Sequence, residues 1–530
     1  MRVKLLISVA IPAILLASCN SHEGTSTYQA GSQEMVEATD AAAEPGERYA
    51  KNDVAAIRSV AQEPVSTFAV DVDTAAYANV RRFLTQGQTP PKDAVRAEEL
   101  INYFRYDYPA PGDRGAPFSV TTDVAQTPWN PETRLLRVGL RGYDLARSQR
   151  PPANLVFLVD VSGSMDEPDK LPLVKQALGM VAENMKPQDH VSIVVYAGAA
   201  GVVLEPTSSA AEVRGALDEL GAGGSTAGGE GIELAYALAR ENFREDGINR
   251  VILASDGDFN VGITDQGQLE QLIEKNRDDG VTLTVLGFGQ GNLNDSMMEA
   301  IADKGNGNYA YVDGAEEARK VLDSELSSTL FTIAKDVKVQ VEFNPALVSQ
   351  YRLIGYENRA LREQDFQNDK VDAGDIGAGH QVTAIYEIVP AGTRGWLPDR
   401  HFAANRAPQA AGEGLGAGGG ELAQVRLRYK LPEGGASRLI TRPVEAGQLR
   451  GAPLPRGDMA FAVAVAGFAQ KLRGDDLLGD WSYADIKRLA GSQWGFSQQA
   501  RWRSEFLHLV DLAAGQQGRT ASLPLQDRPL

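Results

Sequence analysis

Cysteine is almost absent from this chain of 530 residues, which contains only Cys19. One thiol excludes an intrachain disulfide framework, and it excludes a cysteine-built zinc site or iron–sulfur cluster within a single copy. Histidine is nearly as scarce. His22, His190, His380, His401 and His508 are scattered, and no HExxH or similar metal pairing arises among them. Positive charge is the minority sign, with 52 Lys and Arg against 70 Asp and Glu, a formal −18. That balance argues against nucleic acid as the partner, because phosphate binding needs clustered Lys and Arg. A nucleotide site is equally unsupported. The glycine-rich residues 223–229 lack Gly-Lys-Ser/Thr, and the run GFGQGN at 287–292 has Asn where a dinucleotide fingerprint needs its third glycine. The latter reads as a plain strand-to-helix turn. No GxSxG nucleophile motif is present.

What is present is enough to fold. Hydrophobic residues make up 43% and charged residues 23%, and the length suits about three to four domains. At the N-terminus, Arg2 and Lys4 precede an apolar run over 5–17 that is too short to span a bilayer comfortably and is interrupted by Pro12. It ends in LASC at 16–19, which resembles the lipobox of bacterial lipoproteins. The resemblance implies that residues 1–18 are a signal peptide and that acylated Cys19 anchors the chain to a membrane. The other reading is an ordinary secretory signal. The same resemblance implies, from Asn20 in place of Asp, the outer membrane of the cell envelope. Without residues 1–18 the balance is 50 basic to 70 acidic residues, a formal −20. Residues 19–52, small and polar, read as a flexible tether.

From residue 153 the pattern alternates. Buried-strand runs at 155–159, 190–196, 201–204, 250–255, 281–287 and 308–312 are separated by amphipathic segments. The segments expected as helices include 171–185, 209–220, a stripe of Ile232, Tyr236, Ala239 and Phe243, then 295–304 and 315–331. The short turn 197–200 permits only an antiparallel pair there. The expected fold class is α/β: a doubly wound, mostly parallel sheet with one antiparallel edge, over 153–331.

Ligands of such sheets bind beyond the carboxyl ends of the strands. Three polar loops fall there: Asp160-Val161-Ser162-Gly163-Ser164, the Gly-rich 223–228 with Thr226, and Asp256-Gly257-Asp258. Carboxylates and hydroxyls with no sulfur or imidazole suit a hard divalent cation. Alternatively the same loops act only as turns and caps, with Asp160 and Ser162 at a helix start. The three parts together, DxSxS, a loop Thr and SDG, resemble the von Willebrand factor type A (VWA) domain and its metal-ion-dependent adhesion site. The resemblance implies Ser162, Ser164 and Thr226 as direct ligands, with Asp160 and Asp256 acting largely through water. It implies Mg²⁺, with Mn²⁺ or Ca²⁺ possible, and a protein partner whose acidic side chain completes the coordination.

The blocks DVDTAAYANVRR at 71–82 and VRAEELINYF at 95–104 resemble the N-terminal segment of bacterial VWA lipoproteins, here 53–112. Asp73 is expected as a helix cap rather than a metal ligand with Asp71. Period-two strands lie at 113–152 and again over 332–455, around a Gly-rich stretch at 410–420. The two sets are expected to pair into one β-sandwich-like region with the α/β domain inserted between them. Residues 456–530 read as helical, with a core stripe of Trp502, Phe506, Leu509 and Ala513, and resemble the uncharacterised C-terminal domain of such lipoproteins. The expected function is a membrane-anchored, metal-dependent protein-binding module rather than an enzyme. The alternatives are a scaffold whose metal only stabilises loops, and a metal-dependent hydrolase using Asp166, Glu167 or Asp258 as base.

Overall fold

In a computed structural model the described residues are 46–522, except 71–72, 113–114, 224–227, 258–265, 325–327, 329, 399–419 and 492–498. Cys19, Asp71, Thr226, Asp258 and the stretch 410–420 up to residue 419 therefore lie outside them. Strand β1 (Val65–Ala69) and helices α1 (Ala75–Thr85) and α2 (Ala97–Asn102) precede a long hairpin, β2 (Phe118–Thr127) and β3 (Asn130–Gly142). The α/β domain follows. It holds β4 (Ala153–Asp160), α3 (Leu171–Glu183), β5 (His190–Tyr196), β6 (Ala200–Thr207), α4 (Ala210–Glu219) and α5 (Gly228–Glu241). It continues through β7 (Ile248–Ser255), α6 (Gln266–Asp278), β8 (Thr282–Phe288), α7 (Asp295–Lys304), β9 (Tyr309–Val312) and α8 (Ala315–Arg319).

Its sheet has the order β9-β8-β7-β4-β5-β6, parallel except for β6. Every residue of β4 is buried because both faces are covered. Leu155, Phe157 and Val159 face one core with Val174, Leu178 and Val213 from α3 and α4. Val156 and Leu158 face the other with Ile232, Ile273 and Ile301 from α5, α6 and α7. This is why the strand reads as a continuous apolar run rather than an alternating one.

Around this insert the outer strands close on one another. After it come β10 (Thr332–Phe343), β11 (Val348–Ile354), β12 (Gln381–Pro390), β13 (Glu421–Leu431) and β14 (Gly434–Glu445). β12 pairs with β3 (Ile385 beside Arg137) and β10 pairs with β1 (Val339 beside Phe68), so strands from both sides of the insert share each sheet. One sheet runs from a two-residue strand at Arg58–Ser59 through β11, β12 and β3 to β2. The other runs from Ala360–Leu361 through β1, β10 and β13 to β14. Inward residues of both, among them Val138, Tyr386, Val341 and Leu427, form one core.

The C-terminal helices α9 (Ala446–Arg450), α10 (Gly457–Arg473), α11 (Tyr483–Ala490) and α12 (Ala500–Ser522) are not a separate helical body. α1 and α2 pack among them, with Tyr77, Phe104, Phe461, Phe468 and Phe506 in a shared aromatic core. α1 also reaches the α/β domain through buried charge. Arg81 donates to Asp313 (2.7 Å), Glu317 (2.7 Å) and Glu505 (2.9 Å), while the Tyr103 hydroxyl donates to Glu317 (2.7 Å). Arg96 pairs with Glu99 and with Asp295 (2.6 Å).

Three local expectations change. α5 stops before Phe243, which is 40% exposed, because the Asn249 side chain brackets the backbone N–H and C=O of Arg244 and turns the chain into β7. The helix expected over 315–331 leaves α-geometry after Arg319 and widens into a π-turn over Lys320–Ser324, which sets both Glu317 and the Lys320 ammonium against Tyr103. Thr74, not Asp73, occupies the cap position of α1. Asp73 instead accepts the Tyr309 N–H (2.8 Å) and pairs with Arg359, tying the N-terminal segment to β9.

Removing one member of a buried ion group leaves the others uncompensated. Arg81→Ala is expected to lower the unfolding free energy by about 3–5 kcal/mol, read from urea unfolding. A loss below about 1 kcal/mol, the range of an exposed pair, would show that Arg81 does not hold α1 in place.

Candidate metal centre

Parallel β4, β7 and β8 and the neighbouring β5 all end on one rim, and each end contributes a polar group. β4 delivers Asp160, fully buried. Its Oδ1 accepts the backbone N–H of Ser162 (2.9 Å), folding the loop back on itself. Its Oδ2 accepts from the Ser255 hydroxyl (3.0 Å) at the end of β7 and from the Tyr196 hydroxyl (3.2 Å) at the end of β5. The loop then brings the Ser162 and Ser164 hydroxyls to 3.0 Å from each other. Ser162 heads the short helical turn Gly163–Asp166 without its side chain capping it, so the capping role weighed for that hydroxyl is not the one it takes.

Asp256 follows β7 and is likewise fully buried. Its neighbour Gly257 has φ +92°, and a Cβ there would lie 2.4 Å from the Asn294 nitrogen. Only glycine lets this loop pass so close to the one after β8. Thr226 lies outside the described residues, but Gly223 donates to the Val161 carbonyl (2.8 Å), so its loop leaves from beside the DxSxS segment. Asp166 and Glu167 are exposed on the same side.

Two residues at this rim were not singled out by sequence reasoning. The Lys170 ammonium, buried just before α3, donates to Asp256 Oδ2 (3.0 Å) and Asn292 Oδ1 (3.2 Å), and Asn292 Nδ2 donates to the same Oδ2 (2.9 Å). Asn292 belongs to the 287–292 run that reads as a plain turn. The topology held the missing signal, since the loop after any parallel strand of this sheet must reach the same rim.

The electrostatics fit a cation. Burial pushes the Asp160 carboxyl up to about 6, and nearby Asp256 adds to that, against the stabilising hydrogen bonds from Ser162 and Ser255. A divalent ion beside paired hydroxyls and two buried carboxylates relieves that strain with the oxygen donors it prefers. The set is poor for softer metals. Among the described residues no group of three or more His, Cys, Asp or Glu is placed to hold a metal. Among the described residues, Ser162, Ser164, Asp160 and Asp256 are the ones that bring oxygen donors to this rim.

Family models match almost the whole described chain in three stretches. These are "von Willebrand factor" over 43–137, "von Willebrand factor type A domain" over 154–324, and "Uncharacterized protein YfbK, C-terminal" over 328–515. The uncharacterized protein YfbK of Escherichia coli K12 is 44% identical over 482 residues, covering 89% of this chain and 82% of the relative. The chain belongs to the YfbK family. Within that family it carries a VWA domain, a fold that commonly binds a divalent cation and generally serves protein interaction. The uncharacterized protein sll0103 of Synechocystis is 29% identical over 318 residues, 59% of this chain and 69% of that one. Among solved structures, a von Willebrand factor type A protein from Catenulispora acidiphila aligns with a TM-score of 0.40 at 16% identity, over 73% of this chain and 88% of its own.

Protons and metal compete for a carboxylate, so cation affinity should fall as the pH is lowered through about 6, where Asp160 takes up its proton. Asp160→Asn is expected to cost about 10- to 100-fold in Mg²⁺ or Mn²⁺ affinity, the usual range for a supporting carboxylate. Isothermal titration at pH 5, 6 and 7.5 reads both effects, and a flat pH profile would separate Asp160 from the cation.

Proposed function

We propose that this chain is a metal-dependent protein-binding module of the bacterial cell envelope. It is held to the membrane, most simply the outer one, by lipid on Cys19, and it engages an acidic side chain of a partner protein through a divalent cation at Ser162, Ser164 and Thr226. Mg²⁺ is the expected ion. The observation that carries this reading is the pair of hydroxyls 3.0 Å apart beside two fully buried carboxylates, at the end of the sheet where such folds bind ligands. Ser164 is only half-buried, and at an open coordination position beside it a partner carboxylate is the complementary ligand.

Binding rather than catalysis is the better-supported chemistry. Metal-assisted hydrolysis needs a base near the bound water. The described histidines stand elsewhere: His190 at the opposite end of β5, His380 in the sandwich and His508 on α12. Asp166 and Glu167 are exposed, as suits charges that select a partner.

The test is capture of envelope proteins by the detergent-solubilised chain in Mg²⁺ and in EDTA. A partner retained in Mg²⁺ and lost in EDTA, and lost again with Ser162→Ala, is the expected outcome. Capture that ignores EDTA would end the adhesion reading and leave the cation a loop-stabilising role. Cys19→Ser should move the chain from the membrane pellet to the soluble envelope fraction, and continued pelleting would refute the lipid anchor.

A further inference from the structure

The Lys170 ammonium, 3.0 Å from Asp256 Oδ2 and 3.2 Å from Asn292 Oδ1, sits inside the metal centre rather than on its surface. Cation binding by itself gives no reason to bury a positive charge beside the site, and burying an ammonium is costly unless it is paired. The fold nevertheless makes room for it. Gly289, at φ +69°, lies over the aliphatic stem of Lys170, and a Cβ there would come within 2.4 Å of its Cγ and Cε. Lys170 also occupies the cap position of α3 with an irregular backbone, φ −115° and ψ −114°. A glycine in left-handed conformation and an irregular turn both accommodate this one side chain.

We infer that Lys170 is a charge-setting and positioning residue of the metal centre. With Asn292 it holds Oδ2 of Asp256, fixing how that carboxylate addresses an ion, and it sets an ammonium beside that carboxylate. The assignment rests on the metal-centre reading above. Its consequence is a charge count. Asp160 and Asp256 together balance the charge of a divalent cation, so the field of that group alone draws an anion to the open position only weakly. Lys170 makes the loaded centre +1. It thereby weakens the hold on the ion and strengthens the hold on a carboxylate ligand. In these terms selectivity for an acidic side chain over a neutral carbonyl or water is built into the protein's own charge.

Lys170→Gln keeps a donor for Asp256 and removes the charge. Mn²⁺ binding to the detergent-solubilised full chain, read by electron paramagnetic resonance, is expected to tighten about tenfold or more in this variant. Acetate affinity of the Mn²⁺-loaded chain, read from displacement of coordinated water by relaxivity, should weaken to a similar degree. Lys170→Arg, which keeps the charge, should not tighten Mn²⁺ binding. A supporting residue with no electrostatic part would give the opposite sign, weaker Mn²⁺ binding in every variant. That result, or unchanged affinity in Lys170→Gln, overturns the assignment. If Lys170→Gln does not fold without metal, the same titration on Lys170→Met decides, and Mn²⁺ should then raise its melting temperature more than that of the wild type. A folded wild type that binds no Mn²⁺ ends the metal-centre reading and this inference with it. A wild type that binds Mn²⁺ without the tightening ends this inference alone.

Discussion

Two buried arginines hold the parts of this molecule to one another. Arg81 joins α1 to the α/β insert through Asp313 and Glu317 and to the last helix through Glu505. Arg96 joins the start of α2 to Asp295 at the head of α7. Desolvating a guanidinium and several carboxylates offsets much of their mutual attraction, so these groups are better understood as fixing which surfaces meet than as a large source of stability. Apolar burial in the aromatic core around Phe104, Phe461 and Phe506 supplies the drive that the charges orient.

The same arrangement reaches the candidate metal centre. Asp295 follows the loop that carries Asn292, and Asn294 in that loop caps α7 through the Met297 N–H. Glu47 accepts from Gly291 N–H (3.0 Å) and pairs with Arg82 on α1. One rim loop is thus fixed by Glu47, whose packing shows that the expected tether over 19–52 is already docked at residue 47, and by Arg96 on the other side, and its Asn292 contacts Asp256. The α/β domain alone would leave that loop without the contacts of Glu47 and Arg96. This gives a physical reason for the family to carry its flanking segments with the VWA domain.

Much of the architecture was legible because its signals are local. The run 155–159 reads as a strand buried on both faces, the short turn at 197–200 fixes an antiparallel edge, and DxSxS with SDG at strand ends locates the rim. What was not legible depends on contacts between residues hundreds of positions apart. Nothing near Asp73 announces that its carboxylate meets Tyr309 N–H, and a lysine between two prolines at 168–172 carries no mark of its bond to Asp256. The widened turn inside the helix expected over 315–331 is silent for the same reason: Glu317 and Lys320 meet Tyr103, which no local periodicity contains. The described residues of 456–522 are mostly helical, as their periodicity suggests, but their partners α1 and α2 lie far earlier in the chain, Arg81 being 424 residues from Glu505.

The insertion also dictates an order of folding. The sheet of the α/β domain is built from strands within the stretch from β4 to β9 and is complete once β9 exists. β1 must wait for β10 to give it a neighbour, β3 must wait for β12, and α1 must wait for Glu505 on α12. Closing loops of that length is slow compared with local pairing. A chain emerging from its N-terminus therefore carries unpaired strand edges and an uncovered aromatic face until its last helix arrives. Early pairing is thus confined to the insert and to the β2–β3 hairpin, while the body that carries the insert needs segments from both before and after it.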